Sequence, residues 1–214
     1  MKKNIFLTTT HNQYDQVRSL RQKLNEHFSK NSKLIIVDSG EGELLNDPFV
    51  TIIKTSSDSF WGKSVAIGLQ HIYKNYKNIN LIILNCDIDL ENWNKLNNLK
   101  QTCTFYTIKN DQIKRSGYKI ISKVFSLNHY PYFNKNFSNS LESFVDVVPT
   151  RLLYITSIDY MKIKGLVPHF KQLPHYGADF IFSFELRQKI NRPILISKET
   201  YIVEDESTTG VKGS

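Results

Sequence analysis

The first 90 residues alternate between short apolar runs and longer stretches in which apolar residues recur every three or four positions. Continuous apolar runs are typical of buried strands, and the longer spacing is typical of amphipathic helices. The order β-α-β-β-α-β predicts an α/β fold with a mixed, mostly parallel sheet flanked by helices. The predicted strands lie in 4–10, 33–38, 48–56 and 80–92, and a Gly-rich turn in 39–43 follows the strand that stops at Asp38. The predicted helices lie in 13–28 and 61–76.

The second half of the chain carries weaker patterns. Residues 174–191 leave two interpretations open, because Phe180 and Phe182 alternate as in a strand whereas Ile181, Phe184 and a basic tail fit a helix closed by Asn191. Further strands are predicted in 101–109, 116–127, 151–157 and 192–205, a loop in 128–143, and a short helix after Ser157.

Polar side chains follow three of the predicted strands in the first half. They are the threonines 8–10, Asp38 with Ser39, and the stretch 85–89, which reads Asn-Cys-Asp-Ile-Asp. The carboxyl ends of parallel strands meet at one edge of a sheet, and ligands bind there. The sequence therefore predicts a polar ligand site at this edge.

The stretch "FWGKS" at 60–64 ends like a phosphate-binding P-loop. A full P-loop has glycine five positions before its Gly-Lys, and this chain has Ser57 there. Asp58 would also repel phosphate. The segment instead predicts a helix that starts near Trp61, whose backbone N–H groups face the ligand edge. Lys63 either adds a cation to this anion site or is only a solvated residue, and Trp61 is interpreted as a core anchor.

The acidic strand end after residue 84 predicts a metal site. On an extended backbone, alternate residues point to one side, so Asn85, Asp87 and Asp89 are expected to share a face. Mg²⁺ and Mn²⁺ prefer such oxygen ligands. As an alternative for Asp89, its carboxylate caps a following helix while Asp87 holds the metal.

Composition narrows the function classes. With 40% hydrophobic residues the chain has enough apolar material for a core, which excludes a disordered protein. Its net charge of +8 favours anionic partners such as nucleotide phosphates or an acidic membrane surface, or serves only solubility. Because its lysines are scattered, a nucleic-acid binder is not expected. Without a signal peptide or an apolar stretch of about 18 residues, we expect a cytoplasmic protein, with contact to the inner face of the cell membrane left open.

Five motifs in order resemble the family 2 glycosyltransferases of the GT-A fold, in particular rhamnosyltransferase-like bacterial members. The similar segments are "IFLTTTHNQYDQVRSLRQKL", "LIIVDSGEGE", "SFWGKSVAIGLQHIY", "LIILNCDIDLE" and "LPHYGADFIFSFELRQK". This resemblance implies transfer of a sugar, with inversion, from a nucleotide-sugar donor to a glycan or lipid-linked acceptor in bacterial surface polysaccharide synthesis. It also implies one domain over 1–214, with a nucleotide-sugar-binding half at 1–90 and an acceptor and catalytic half at 100–214.

The resemblance also implies roles for individual residues. Thr8 and Asp38 would contact the base and ribose of the donor nucleotide. Asn85 and Asp87 would form the DxD-type pair, with Mn²⁺ or Mg²⁺ held by Asp87 on the donor diphosphate. Asp179 would be the general base that deprotonates the acceptor hydroxyl.

The chain also departs from the family pattern. Glu185 stands where the family has an arginine, and Glu204 with Asp205 replaces a late histidine motif. These departures motivate an alternative, a catalytically degenerate binding subunit of a polysaccharide assembly complex. His175 and Tyr176 beside the expected base would orient the acceptor, or His175 is a loop histidine without a role. A nucleotidylyltransferase is disfavoured because the first strand lacks a Gly- and Arg-rich phosphate loop.

Overall fold

The structure is a computed structural model, and it describes residues 3–28, 31–44, 47–109, 112–114, 117–120, 127–129, 143–171 and 177–203. The helices are α1 Tyr14–Phe28, α2 Trp61–Asn75, α3 Ser157–Lys162 and α4 Ala178–Ile190, with a 3-10 helix at Trp93–Asn98. The strands are β1 Lys3–Thr10, β2 Ser32–Asp38, β3 Val50–Lys54, β4 Ile79–Leu84, β5 Asp89–Leu90, β6 Cys103–Lys109, β7 Gln112–Lys114, β8 Tyr118–Ile120, β9 Leu127–His129, β10 Ser143–Val145, β11 Leu152–Ile155 and β12 Ile194–Val203.

Ten of the described strands form one sheet in the order β10-β12-β6-β11-β4-β1-β2-β3, with β5 paired to β12 and β7 paired to β6. Strands β1, β2, β3, β4, β6 and β12 run in one direction, and the other four run against them. The prediction of a mixed, mostly parallel sheet flanked by helices is therefore confirmed. Strands β8 and β9 pair separately.

Two apolar layers cover the sheet, because successive residues of a strand face opposite sides. In β1, Ile5 and Leu7 pack with α2, α3 and α4, whereas Phe6 packs with α1 and the 3-10 helix. The central strands carry continuous apolar runs since both of their faces are buried. Within the described residues, no helix combines the length and the apolarity needed to cross a bilayer.

The ambiguous stretch 174–191 resolves as a helix where the structure describes it. In α4, Ala178, Phe182, Leu186 and Ile190 recur every four residues and are all buried. The helix ends at Asn191, which adopts a left-handed conformation with φ of 56°. Helical burial thus prevails over the alternation of phenylalanines. The predicted loop 128–143 falls almost entirely outside the described residues.

A buried carboxylate anchors α3. Asp159 accepts hydrogen bonds from Thr102 Oγ1 at 2.5 Å and from Thr156 Oγ1 at 3.2 Å, and it pairs with Arg192. Thr156 is the cap of α3, one residue before the predicted Ser157. These contacts join α3 to the segments that precede β6 and β12, because a buried carboxylate needs hydrogen-bond partners.

Helix α2 lies close to the sheet at Gly68. A Cβ at this position would lie 2.3 Å from Leu7 Cδ1 and 3.1 Å from Val37 Cγ2, both in the buried core. We expect Gly68→Ala to lower the free energy of unfolding by about 1–2 kcal/mol, since overpacking outweighs the higher helix propensity of alanine. Urea unfolding measures the change. The control Gln70→Ala, at an exposed position of α2, should stay within about 0.5 kcal/mol. A more stable Gly68→Ala variant would contradict this packing.

Candidate active site

A cavity of about 300 Å³ lies at the carboxyl end of β4. Strand β11 begins beside this end, and the backbone N–H of Asn85 donates to the Arg151 carbonyl at 2.9 Å. The first residues of α2 and α4 complete the cavity wall. The lining residues are Trp61, Asn85, Pro149, Thr150, Arg151, Gly177, Ala178, Asp179 and Phe180. The predicted ligand edge thus contains a pocket in which Asn85 and Asp179 come together.

The N-termini of α2 and α4 approach each other closely because Gly62 has no side chain. A Cβ on Gly62 would lie 3.0 Å from the Ala178 Cβ and 3.2 Å from the Phe170 Cβ. The first backbone N–H groups of a helix are not used within the helix, and the helix dipole is positive there. Two such ends at one cavity favour an anionic group in it.

Asp179 supplies the carboxylate of the cavity. It lies in the first turn of α4, and its Oδ1 accepts a hydrogen bond from the Phe180 N–H at 3.0 Å. Burial raises the pKa of this carboxyl above its ordinary value, although hydrogen bonds from the backbone of Phe180 and Thr150 act in the opposite direction. A raised pKa makes a carboxylate a stronger proton acceptor.

Arg151 is a pocket residue that the sequence analysis missed. Burial lowers the pKa of its guanidinium, and the negative charge of Asp87 acts in the opposite direction. Arg151 directly precedes β11, whose four residues are all buried. A charged residue at the start of such a strand was the signal in the sequence. Asp87 is distant from Arg151 along the chain, so the electrostatic influence of one on the other was not visible in the sequence.

Asp89 occupies a different environment from Asn85. Its Oδ2 lies 2.8 Å from Lys23 Nζ of α1, and its Oδ1 accepts from Trp93 Nε1 at 3.2 Å. The expected common face does not form, because a turn at Cys86 and Asp87 interrupts the extended backbone. Asp89 does not cap the following helix either, since Asn92 takes that position. The contacts favour a structural role, and the metal assignment of Asp89 stays a prediction.

The remaining predicted residues lie outside the cavity lining. Asp38 is fully buried, and it is bound by Lys54 Nζ at 2.8 Å and by the Gly40 N–H at 2.8 Å. Thr8 is buried nearby on β1, and its hydroxyl has no hydrogen-bond partner among the described residues. Lys63 contacts Ser56 Oγ at 3.0 Å and Asp58 Oδ1 at 3.1 Å. The nucleotide-binding roles of Thr8, Asp38 and Lys63 stay predictions.

Asp87 fits a metal ion only if a bound substrate supplies further oxygen ligands. Within the described part of the chain, no group of three or more His, Cys, Asp and Glu side chains is placed to hold a metal. Mg²⁺ and related hard cations are often held by one or two carboxylates plus substrate phosphates. Asp87 fits this arrangement as the single carboxylate. His175, Tyr176, Glu204 and Asp205 lie outside the described residues.

Comparisons with known proteins give structural neighbours only. No family model and no curated protein matches this sequence. TarS of S. aureus superimposes with a TM-score of 0.60 at 10% identity, covering 96% of this chain and 37% of TarS. The mannosyltransferase PcManGT from Pyrobaculum calidifontis, in complex with GDP-Man and Mn²⁺, gives 0.59 at 12%, covering 97% of this chain and 58% of that protein. The chain thus shares the fold of these two proteins, and it spans 37% of the length of the first and 58% of the length of the second.

The structural role of Asp89 is testable by unfolding. We expect Asp89→Ala to lower the free energy of unfolding by about 1 kcal/mol at neutral pH, mainly because the buried Trp93 indole loses its acceptor. Burial works to raise the pKa of Asp89, but Lys23 and Trp93 outweigh it and lower the pKa. A carboxyl with a lowered pKa stabilises the fold above its unfolded value of 3.8 and loses that effect as the pH falls.

Urea unfolding of Asp89→Ala and wild type at several pH values checks this expectation. The difference should shrink as the pH drops below 3.8. The control Asp15→Ala removes a highly exposed carboxylate, paired with Arg18, from α1, and it should change stability by less than about 0.5 kcal/mol. An Asp89→Ala variant as stable as wild type would refute the structural role.

Proposed function

We propose that this chain is a glycosyltransferase that moves a sugar, with inversion, from a nucleotide-sugar donor to a hydroxyl group of a glycan or lipid-linked glycan. One observation carries the proposal: the cavity joins Asn85, at the end of β4, with the half-buried carboxylate of Asp179. The fold shared with a mannosyltransferase that was solved with GDP-Man and Mn²⁺ supports it. Asn85 and Asp179 also match the resemblance to family 2 glycosyltransferases.

In the proposed reaction, the donor diphosphate lies toward Asn85 and the ends of helices α2 and α4. The bond between the anomeric carbon and the diphosphate breaks, and the electron pair stays on the diphosphate. The helix ends stabilise this negative charge. The oxygen of the acceptor hydroxyl attacks the anomeric carbon from the side opposite the diphosphate, and Asp179 accepts the proton of that hydroxyl. Attack opposite to the leaving group inverts the anomeric carbon.

A divalent cation fits this arrangement. Asp87 would hold Mn²⁺ or Mg²⁺ against the donor phosphates, with the Asn85 amide oxygen as a neighbouring polar group. When bound, the cation supplies charge stabilisation to the leaving diphosphate. Thr8, Asp38 and Lys63 are proposed to contact the base, the ribose or the phosphates.

The proposed setting is bacterial surface polysaccharide synthesis in the cytoplasm, at the inner face of the membrane when the acceptor is lipid-linked. The net charge of +8 supports contact with an anionic surface. One domain over 1–214 remains part of the proposal, with a nucleotide-sugar-binding half at 1–90 and an acceptor and catalytic half at 100–214. The second half also reaches the donor diphosphate through the first turn of α4.

A binding subunit without transfer activity is the second candidate. In α4, Glu185 stands where the resemblance implies an arginine, and its Oε1 lies 2.7 Å from His169 Nε2. Arg187 is paired with Asp146 at 2.8 Å. Glu185 and Arg187 of α4 therefore make contacts within the protein, which favours a structural use of this part of the helix. Such a subunit would bind the donor but neither transfer nor hydrolyse the sugar.

Donor binding is the first expected outcome. We expect one nucleoside diphosphate, among UDP, GDP, CDP and dTDP, to raise the melting temperature, with a larger shift when Mn²⁺ is present. A ligand that binds only the native state stabilises it by RT ln(1 + [L]/Kd). Asp87→Ala should remove the Mn²⁺-dependent part of the shift. If none of the four diphosphates shifts wild type in either condition, the proposed function is wrong.

Asp179→Asn is expected to separate catalysis from stability. Transfer should fall by about 10²- to 10⁴-fold because the general base is lost. The melting temperature should not fall at neutral pH. A carboxyl whose pKa is raised on folding destabilises the native state once the pH exceeds its unfolded value of 3.8, and the neutral amide removes that cost. Wild-type transfer should decline as the pH falls through the raised pKa of Asp179, because a protonated carboxyl cannot accept the proton of the acceptor hydroxyl.

The control for this experiment is Asp15→Asn, which removes an exposed carboxylate and should retain wild-type transfer. Product formation with the identified donor is measured beside the melting temperature. Full transfer by Asp179→Asn would rule out its role as the base. A wild type that binds the donor but neither transfers nor hydrolyses it would instead favour the binding subunit.

A further inference from the structure

Arg151 contributes the positive charge of the cavity. It is the one basic side chain among the described residues that line the cavity, and the other titratable side chain there is Asp179. Arginine stays protonated in proteins, so the burial that lowers its pKa does not discharge it. A cation at a partly closed cavity favours an anionic ligand.

The backbone of Arg151 is held in place on both sides. Its carbonyl accepts from the Asn85 N–H at 2.9 Å, and its own N–H donates to the Pro149 carbonyl at 2.9 Å. The next residue, Leu152, begins β11 and pairs with Leu84 of β4. The guanidinium therefore extends from a rigid point beside the strand end that carries Asn85 and Asp87.

We propose that Arg151 is a donor-binding residue whose guanidinium donates hydrogen bonds to the diphosphate of the nucleotide sugar. This inference rests on the proposed function and adds to it the residue that binds the leaving group. The planar guanidinium offers paired N–H donors that match two phosphate oxygens, which a lysine cannot do. When the sugar–diphosphate bond breaks, the electron pair moves to the oxygen that Arg151 and the helix ends face.

Asp87 gives Arg151 a second property. The negative charge of Asp87 acts on Arg151 and offsets its positive charge. A divalent cation bound to Asp87 would then add two positive charges, which balance those of the diphosphate. Without the cation, Asp87 repels the diphosphate and Arg151 attracts it. Arg151 therefore accounts for the metal-independent part of diphosphate binding, and Asp87 accounts for the metal-dependent part.

Isothermal titration calorimetry with UDP, GDP, CDP and dTDP, in EDTA and in Mn²⁺, tests this division. For the diphosphate that wild type binds best, Arg151→Gln should weaken binding in EDTA by about tenfold or more and should retain the enhancement by Mn²⁺. Asp87→Asn should have the opposite signature, with tighter binding in EDTA and no enhancement by Mn²⁺. If Arg151 only supported the fold, Arg151→Gln and Asp87→Asn would not change the affinity for the diphosphate in EDTA in opposite directions.

Two further variants control the experiment. Arg18→Gln removes an exposed arginine of α1 that is paired with Asp15 and should bind as wild type does. Arg151→Lys keeps the charge but not the paired N–H donors of the planar guanidinium, and it should bind the diphosphate about threefold more weakly than wild type. This variant decides the question if Arg151→Gln does not fold.

Wild-type affinity in Arg151→Gln, or in Arg151→Lys where only that variant folds, overturns the role of Arg151 and leaves the glycosyltransferase proposal intact. Absence of binding of all four diphosphates to wild type overturns both proposals.

Discussion

The antiparallel pairing of β11 with β4 is the constraint on which the candidate site depends. Strand β4 ends the first half of the chain at the ligand edge, and β11 starts there and runs back beside it. The hydrogen bond from the Asn85 N–H to the Arg151 carbonyl closes this junction. Because of it, the second half of the chain brings a cation and then α4 to the edge where the parallel strands end. In a sheet of parallel strands alone, every strand would start at the opposite edge. A residue that directly precedes a strand, as Arg151 does, would then not lie at the ligand edge.

The first half of the fold was predictable because its signals are local. Buried strands such as β4 read as continuous apolar runs, and α1 and α2 read as amphipathic helices. The site was less predictable. Asp179 came from a resemblance, since its burial depends on packing between helices distant in sequence. Arg151 was missed for the same reason.

Asp89 shows where pattern reasoning fails in detail. Alternation along Asn85, Asp87 and Asp89 assumes an extended backbone, and a turn of two residues is enough to direct the last carboxylate to Lys23 on the other face of the sheet. The stretch 174–191 shows a different limit, because the sequence left both a strand and a helix open there. Its phenylalanines fit two periods at once, and only contacts of Phe182 and Leu186 with the core decide between them.

The absence of a side chain at Gly62 sets the distance between the first turns of α2 and α4. Trp61 and Ala178, in these two turns, both line the cavity. A larger residue at 62 would push the helices apart and widen the cavity between them. The size of the cavity is thus adjustable at an uncharged position, separately from the Asp179 carboxylate and the Arg151 guanidinium.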